Sequence, residues 1–152
     1  MLHLYLSLES LRFSESFSYT IDTKSLQDIN DTMIPSLIIQ PVVENAIWHG
    51  LRNKEGVQTL LITYLEENGK IFVTVEDNGI GREEAAAIRK QKLGGEQFAS
   101  KGTSILQQRL SVLSQQLDAE IQWQTIDKKD KCGHATGTKV VISFPSNLED
   151  DT

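Results

Sequence analysis

Apolar residues recur at helical spacing in three parts of the chain, which predicts helices over residues 2–13, 36–50 and 103–116. In the first of them the apolar stripe consists of Leu4, Leu8 and Leu11, with charged residues on the opposite face. Pro35 fits the first turn of the second helix.

Five other segments alternate apolar and polar residues or are rich in β-branched residues. They predict strands over residues 16–21, 59–65, 70–76, 119–126 and 138–144. The pair Asn68-Gly69 between the second and third strands favours a tight hairpin. The charged residues 127–131 would join the last two strands as a second hairpin.

Three helices and five strands, most of them in hairpins, predict a mixed and largely antiparallel sheet. Because three helices can cover only one face of such a sheet, we expect an α/β (α+β) fold with two layers. A chain of 152 residues with 39% hydrophobic residues is long enough for one domain with a core. Residues 78–101 hold four glycines and a short predicted helix over residues 83–91, and we interpret this stretch as a mobile lid.

The charge and cysteine content exclude several classes of function. A net charge of -6 without a cluster of Lys or Arg makes nucleic acid an unexpected partner. The single cysteine, Cys132, cannot form an internal disulfide, and three scattered histidines give no zinc spacing, so we expect a reduced, intracellular domain. No apolar run reaches the length of a bilayer span, and the first residues are not typical of a signal peptide.

Asn45 and His49 lie four residues apart and therefore project from one face of the second helix. A neutral amide oxygen is a hard ligand that suits Mg²⁺, which keeps its other positions for phosphates and water. The alternative is that Asn45 caps or solvates a surface helix.

Asp77 follows the strand over residues 70–76, where a carboxylate could accept a hydrogen bond from the exocyclic amine of adenine. Gly79 and Gly81 would let the backbone approach a flat ring closely. An ordinary Asp-Asn-Gly turn is the alternative.

Two further Gly-Thr pairs lie at the starts of elements. Gly102-Thr103 at the beginning of the third helix offers unpaired backbone N–H groups and a hydroxyl to an anion, although a simple glycine N-cap explains it equally. Gly137-Thr138 could bring a hydroxyl to the adenine, or it could be a plain hairpin exit.

Taken in order, these motifs resemble the catalytic, ATP-binding domain of sensor histidine kinases with the Bergerat (GHKL) fold, and within them the LytS-type group. In that group one motif reads approximately Gln-Pro-Leu-Val-Glu-Asn-Ala-Ile-Lys-His-Gly, and residues 40–50 reproduce it except at Val42 and Trp48. The glycine motifs of the family are similar to residues 77–81, 100–110 and 137–138.

The resemblance implies roles for individual residues. Asn45 would bind Mg²⁺, Asp77 would hold the adenine amine of ATP, and His49 would lie near the phosphates. Glu44 occupies the acidic position beside the asparagine, where it either polarises the acceptor imidazole or supports the helix. The pocket lining would comprise Gly79, Gly81, Gly102, Thr103 and Thr138.

The resemblance also implies the surroundings of the domain. Residues 1–14 would end an upstream dimerisation and phosphoacceptor domain, residues 15–145 would bind ATP, and residues 146–152 would form a disordered tail. The parent would be a homodimer anchored in a bacterial inner membrane, with this domain in the cytoplasm. It would transfer the γ-phosphoryl group to a histidine on the upstream domain, and from there to the receiver domain of a response regulator.

The chain departs from the family pattern at several positions. Trp48 replaces a usual lysine, Ser100 a glycine and Thr103 a leucine, and no histidine has the neighbours of a phosphoacceptor motif. A degenerate nucleotide-sensing or docking module is therefore one alternative. A stand-alone ATPase of the gyrase or MutL kind is another, although those enzymes place a carboxylate where this chain has Pro41.

Overall fold

The computed structural model describes residues 2–12, 17–25, 33–93 and 101–146. Its helices are α1 (Leu2–Arg12), α2 (Met33–Asn45), α3 (Arg82–Leu93) and α4 (Lys101–Gln116), and a π-helical segment (Ala46–Leu51) continues α2. Its strands are β1 (Phe17–Ser25), β2 (Gln58–Glu67), β3 (Lys70–Asp77), β4 (Gln122–Lys129) and β5 (Ala135–Pro145).

The five strands form one sheet in the order β1-β2-β3-β5-β4. Only the β1–β2 pair is parallel, and the other three pairs are antiparallel. Along β2, Leu60, Ile62 and Tyr64 are buried while Leu61 and Leu65 are exposed, so one face of the sheet carries the core. The predicted two-layer α+β architecture is confirmed.

The core lies between this face and the helices α2 and α4. Alternate residues of the central strands supply one side of it, and α2 supplies a nearly continuous apolar run because it packs between the sheet and α4. The largest fully buried side chains are Phe144, Leu6, Ile38, Ile39, Ile47, Leu51, Leu60, Ile62, Leu110, Ile142 and Val42.

The β2–β3 hairpin turns as predicted. Asn68 and Gly69 have φ angles of 52° and 75°, the left-handed pair that a two-residue type I′ turn requires. This turn fixes the register that pairs Leu60 with Asp77 at the other end of the hairpin.

The predicted orientation of α1 is wrong. Leu6 and Glu9 are buried, whereas the expected apolar stripe is exposed at all three of its positions, Leu4, Leu8 and Leu11. Tyr5 packs against the core cluster from the same helix, and the Ser7 hydroxyl lies 3.3 Å from the hydroxyl of Tyr19 in β1. Contact with β1 therefore decides which face is buried.

In the second hairpin, β4 lies three residues further along the chain than predicted, and β5 begins three residues earlier than predicted. Ala119 does not start a strand, because its N–H and C=O groups bond to the carbonyl and hydroxyl of Ser114 at the end of α4. Asp127 and Lys128 stay in β4, because their side chains bind Arg82 and Glu76. The turn consequently falls at residues 130–134.

Other predicted segments fall partly or wholly outside the described residues. The helix predicted over residues 83–91 is α3, but residues 94–100 of the predicted lid and residues 147–152 of the predicted tail are not described. Within the described residues, none of the helices combines the length and the apolar character needed to cross a bilayer.

Leu110 and Val112 offer a matched test of this packing within α4. Leu110 is 0% exposed and Val112 is 50% exposed. We expect Leu110→Ala to lower the free energy of unfolding by about 2–5 kcal/mol, because it leaves a cavity in the core. Val112→Ala should change it by no more than about 0.5 kcal/mol. Urea denaturation followed by tryptophan fluorescence measures both, and equal losses would contradict this position for α4.

Candidate functional site

The carboxylate of Asp77 ends β3 inside the protein, where its side chain is only 3% exposed. In the sheet, Asp77 pairs with Leu60 of β2 and Thr138 of β5. Its Oδ1 accepts hydrogen bonds from the backbone N–H of Gly79 at 2.8 Å and from that of Thr138 at 3.3 Å. Two elements therefore fix the orientation of one carboxylate.

Burial raises the pKa of Asp77 to about 6, because the charged form loses its hydration. The two backbone N–H donors and the nearby Lys128 lower this pKa, but they do not compensate for burial. Lys128 is itself paired with Glu76 at 2.9 Å. Any further hydrogen-bond donor that reaches this carboxylate would stabilise its ionised form.

Close backbone contacts bring the second helix to this strand end. The N–H of Ile80 donates to the carbonyl of Gly50 at 3.1 Å, and a Cβ atom on Gly79 would overlap the Gly50 backbone. A Cβ atom on Gly50 would stand 2.9 Å from Asp77 Oδ1. Likewise, a Cβ atom on Gly137 would collide with the carbonyl oxygen of Asp77. Gly50 was not among the predicted site residues, and its position directly after the Asn45–His49 motif is the only sequence signal for this contact.

The predicted helix over residues 36–50 is present, but it changes from α-helical to π-helical geometry within this motif. The α-helical part ends at Asn45, and residues 46–51 form a π-helical segment closed by the Arg52 N–H bond to the Ile47 carbonyl at 2.9 Å. Single π-helical turns inside helices occur frequently at functional sites. Here the wider turn lies where Gly50 contacts Asp77.

A pocket of about 60 Å³ opens beside Asp77. Five predicted site residues line it, namely Asn45, His49, Asp77, Gly81 and Thr138. Gly79 is buried behind the pocket and supports Asp77 from there. The rest of the lining consists of Val42, Ala46, Gly50, Arg82, Ala85, Ala86 and Val140.

The carboxamide of Asn45 has no side-chain cap hydrogen bond to the π-helical segment that follows it. Its backbone is helical, with φ −62° and ψ −42°, so it is not a conventional N-cap. The side chain is half-buried on the pocket wall. Its oxygen is therefore available as a ligand for a cation, and the capping alternative loses its support.

A second cleft, of about 310 Å³, lies on the other side of Asn45 and His49, which line both spaces. Its other lining residues are Pro41, Glu44, Trp48, Leu106 and Arg109. Asn45 and His49 therefore adjoin both spaces.

Both carboxylate oxygens of Glu44 are engaged in this second cleft. Oε2 binds the Arg109 guanidinium at 3.0 Å, and Oε1 accepts a hydrogen bond from the Gln40 amide at 3.1 Å. The ion pair joins α2 to α4. Trp48 is 38% exposed, and the Arg52 guanidinium lies 4.8 Å above the centre of its ring.

Gly102 and Thr103 lie in the first turn of α4, close to the predicted start of that helix. The side chain of Thr103 and the whole of Ser100 lie outside the part of the chain that the structure describes. The predicted anion site at this helix start therefore stays a prediction.

The chain has relatives among sensor kinases, whereas no protein-family model matches it. It is 33% identical to the sensor protein LytS of Oceanobacillus iheyensis over 134 residues, which are 84% of this chain and 22% of that protein. It is 33% identical to LytS of Bacillus cereus over 97 residues, 64% of this chain and 16% of that protein. The chain thus spans less than a third of the curated relatives it matches.

Solved structures of histidine kinases have the same fold. The catalytic domain of histidine kinase ThkA superposes with a TM-score of 0.57 at 18% identity, covering 97% of this chain and 91% of that one. The mycobacterial sensor histidine kinase MprB gives a TM-score of 0.54 at 15% identity, covering 93% and 90%. The chain is therefore homologous to part of the LytS-type sensor histidine kinases, and its fold is that of a histidine kinase catalytic domain.

Proposed function

We propose that this domain binds ATP together with Mg²⁺ and supplies the γ-phosphoryl group to a histidine on a domain outside this chain. The observation that carries the proposal is that Asn45 and Asp77, which come from a helix and a strand, line the same pocket. A hard amide ligand and a buried carboxylate in one pocket suit the two ends of a purine nucleotide.

The adenine would lie against Asp77. Oδ1 is held by two backbone N–H groups, and no other part of the described chain donates a hydrogen bond to Oδ2. An ionised carboxylate only accepts, so it suits the exocyclic amine of adenine and opposes the carbonyl that guanine presents at the same edge. This difference would make the site selective for ATP over GTP.

Mg²⁺ fits the donor set around Asn45. It prefers oxygen ligands, and it commonly takes one or two protein ligands with phosphates and water completing its shell. The carboxamide oxygen of Asn45 would hold it, at the boundary between the pocket and the second cleft. When bound, the ion would neutralise phosphate charge and polarise the transferred group.

The triphosphate would extend from the pocket past His49 into the second cleft. There the acceptor imidazole nitrogen would bond to the γ-phosphorus as the bond from phosphorus to the β,γ-bridging oxygen breaks. ADP leaves, and the imidazole proton passes to water. Such transfers depend mainly on placement and charge stabilisation, for which the domain offers Asn45 and a rim lined by Arg109.

Glu44 has a positioning role in this proposal. A general base needs a free carboxylate oxygen, whereas Arg109 and Gln40 engage both oxygens of Glu44. The ion pair instead holds α2, and with it Asn45, against α4. Of the two roles that the family resemblance left open for Glu44, the geometry favours support of the helix.

The proposed partners are an upstream dimerisation and phosphoacceptor domain of the same protein and the receiver domain of a response regulator. The relatives are sensor proteins and sensor histidine kinases, which supports this setting. We propose that the parent is a membrane-anchored homodimer and that this domain works in the cytoplasm.

Asp77→Asn should change ligand affinity and stability in opposite directions. We expect ATP binding to weaken by about 1–3 kcal/mol in calorimetry, because an acceptor in the pocket becomes a partly mismatched amide. At pH 7.5 the free energy of unfolding should rise by up to about 3 kcal/mol, because the variant lacks the buried charge.

The pH dependence follows from the raised pKa. In the folded state the pKa of Asp77 is about 6, against an ordinary value of 3.8. Below pH 3.8, ionisation of Asp77 therefore does not lower the free energy of unfolding of the wild type. The loss of stability grows as the pH rises towards 6, and it is complete above 6. The advantage of Asp77→Asn should shrink accordingly on acidification. Asp118→Asn, an exposed control, should change neither the ATP affinity nor the free energy of unfolding. Unchanged ATP affinity in Asp77→Asn would show that Asp77 is not part of the site.

Asn45→Ala should abolish the effect of Mg²⁺ on nucleotide binding while ATP still binds in its absence. The reason is that the variant lacks the oxygen ligand but keeps the adenine pocket. Calorimetry with and without Mg²⁺ measures the difference, and Asn53→Ala, on an exposed turn, is the control. If the ATP affinity of the wild type did not depend on Mg²⁺, the result would favour a nucleotide sensor over a kinase.

A further inference from the structure

The tip of the β4–β5 hairpin brings three metal-ligating side chains together outside the nucleotide site. Asp130, Cys132 and His134 each offer one ligand atom, and these atoms lie within 4.8 Å of one another. All three residues are exposed. The usual zinc spacing of paired cysteines and histidines is absent from the sequence, whereas these three residues alternate along a five-residue turn.

Asp130 organises this turn. Its Oδ1 accepts hydrogen bonds from the backbone N–H groups of Cys132 and His134, each at 2.9 Å. Its own N–H donates to the His134 carbonyl at 2.9 Å, and Gly133 takes the left-handed φ of 82° that the turn needs. These bonds fix the backbone, and they leave Oδ2 3.6 Å from the imidazole Nδ1 of His134.

The donor set selects a class of cation. A thiolate, an imidazole and a carboxylate are ligands of Zn²⁺ and similar transition metals, whereas Mg²⁺ and Ca²⁺ prefer oxygen alone. Three protein ligands with water in the fourth position are a common zinc arrangement. Neighbouring ligand atoms around tetrahedral zinc lie about 3.3–3.8 Å apart, given bonds of about 2.0–2.3 Å. Exposed side chains can close from 4.8 Å to that spacing by rotation.

We propose that Asp130 Oδ2, Cys132 Sγ and His134 Nδ1 form a binding site for one thiophilic divalent transition metal of the Zn²⁺ class. The two negative charges of the carboxylate and the thiolate neutralise the dication. The flanking Lys129 and Lys131 oppose binding, so this site is weaker than a closed four-ligand zinc site. It is independent of the proposed Mg²⁺ position at Asn45.

The location gives the site a connection to the pocket. β5 leaves the turn at Ala135, against which Gly81 of the pocket wall packs. Two residues later the strand reaches Gly137, and then Thr138, whose N–H binds Asp77. A metal at the turn would hold the start of the strand that forms one edge of the pocket.

Cobalt(II) is the spectroscopic probe for this proposal. We expect the reduced chain, purified without a polyhistidine tag, to bind one equivalent of Co²⁺ with a thiolate charge-transfer band in the near ultraviolet. Zn²⁺ should displace it, and excess Mg²⁺ should not. Cys132→Ser should abolish the band, and His134→Ala should weaken binding at least about tenfold.

His3→Ala is the matched control, because it removes a histidine in α1 and should leave the titration unchanged. Two results would overturn the proposal. One is the absence of a charge-transfer band in the wild type, and the other is undiminished Co²⁺ binding in the Cys132→Ser/His134→Ala double variant. ATP binding measured without transition metals is a separate readout, so failure here leaves the proposed nucleotide site untouched.

Discussion

The structure of the site depends on one unfavourable arrangement, the carboxylate of Asp77 held away from water at the end of a central strand. Two backbone N–H groups orient it, but its raised pKa indicates that they do not offset the loss of hydration. The surrounding glycines make this burial possible, because Gly50 and Gly137 leave no room for any side chain beside it. A buried charge of this kind lowers the stability of the free protein. It suits the binding of a ligand that donates a hydrogen bond to the carboxylate.

The same contacts join the two halves of the proposed nucleotide site. The π-helical segment carries Gly50 onto the strand end, and the helix before it carries Asn45 to the pocket wall. The Glu44–Arg109 ion pair then ties that helix to α4 on the far side. The proposed adenine and metal positions would therefore both be set by one junction between a helix and a sheet. Placement is the main requirement of phosphoryl transfer.

Sequence patterns predicted the parts of this fold that depend on local chemistry. The Asn68-Gly69 turn, the alternation in β2 and the apolar face of α4 each have one favourable arrangement, and the structure adopts it. The predictions failed where contacts between residues distant in sequence decide the structure. The face of α1 is set by β1, and β4 keeps Asp127 because Arg82 binds it from α3. Neither the π-helical segment nor the approach of Gly50 to Asp77 has a local signature, since both depend on the partner strand.

The ionisation of Asp77 tests the central claim most directly. Carbon-13 NMR of the side-chain carboxyl groups, with the Asp77 signal assigned by its loss in a variant, would report its pKa in the folded chain. We predict a pKa of about 6 in the free protein and a lower value when ATP is bound, since a donor from adenine stabilises the ionised form. A pKa at or below 3.8 in the free chain, or one that ATP leaves unchanged, would contradict the claim that Asp77 is a buried carboxylate that accepts a hydrogen bond from adenine.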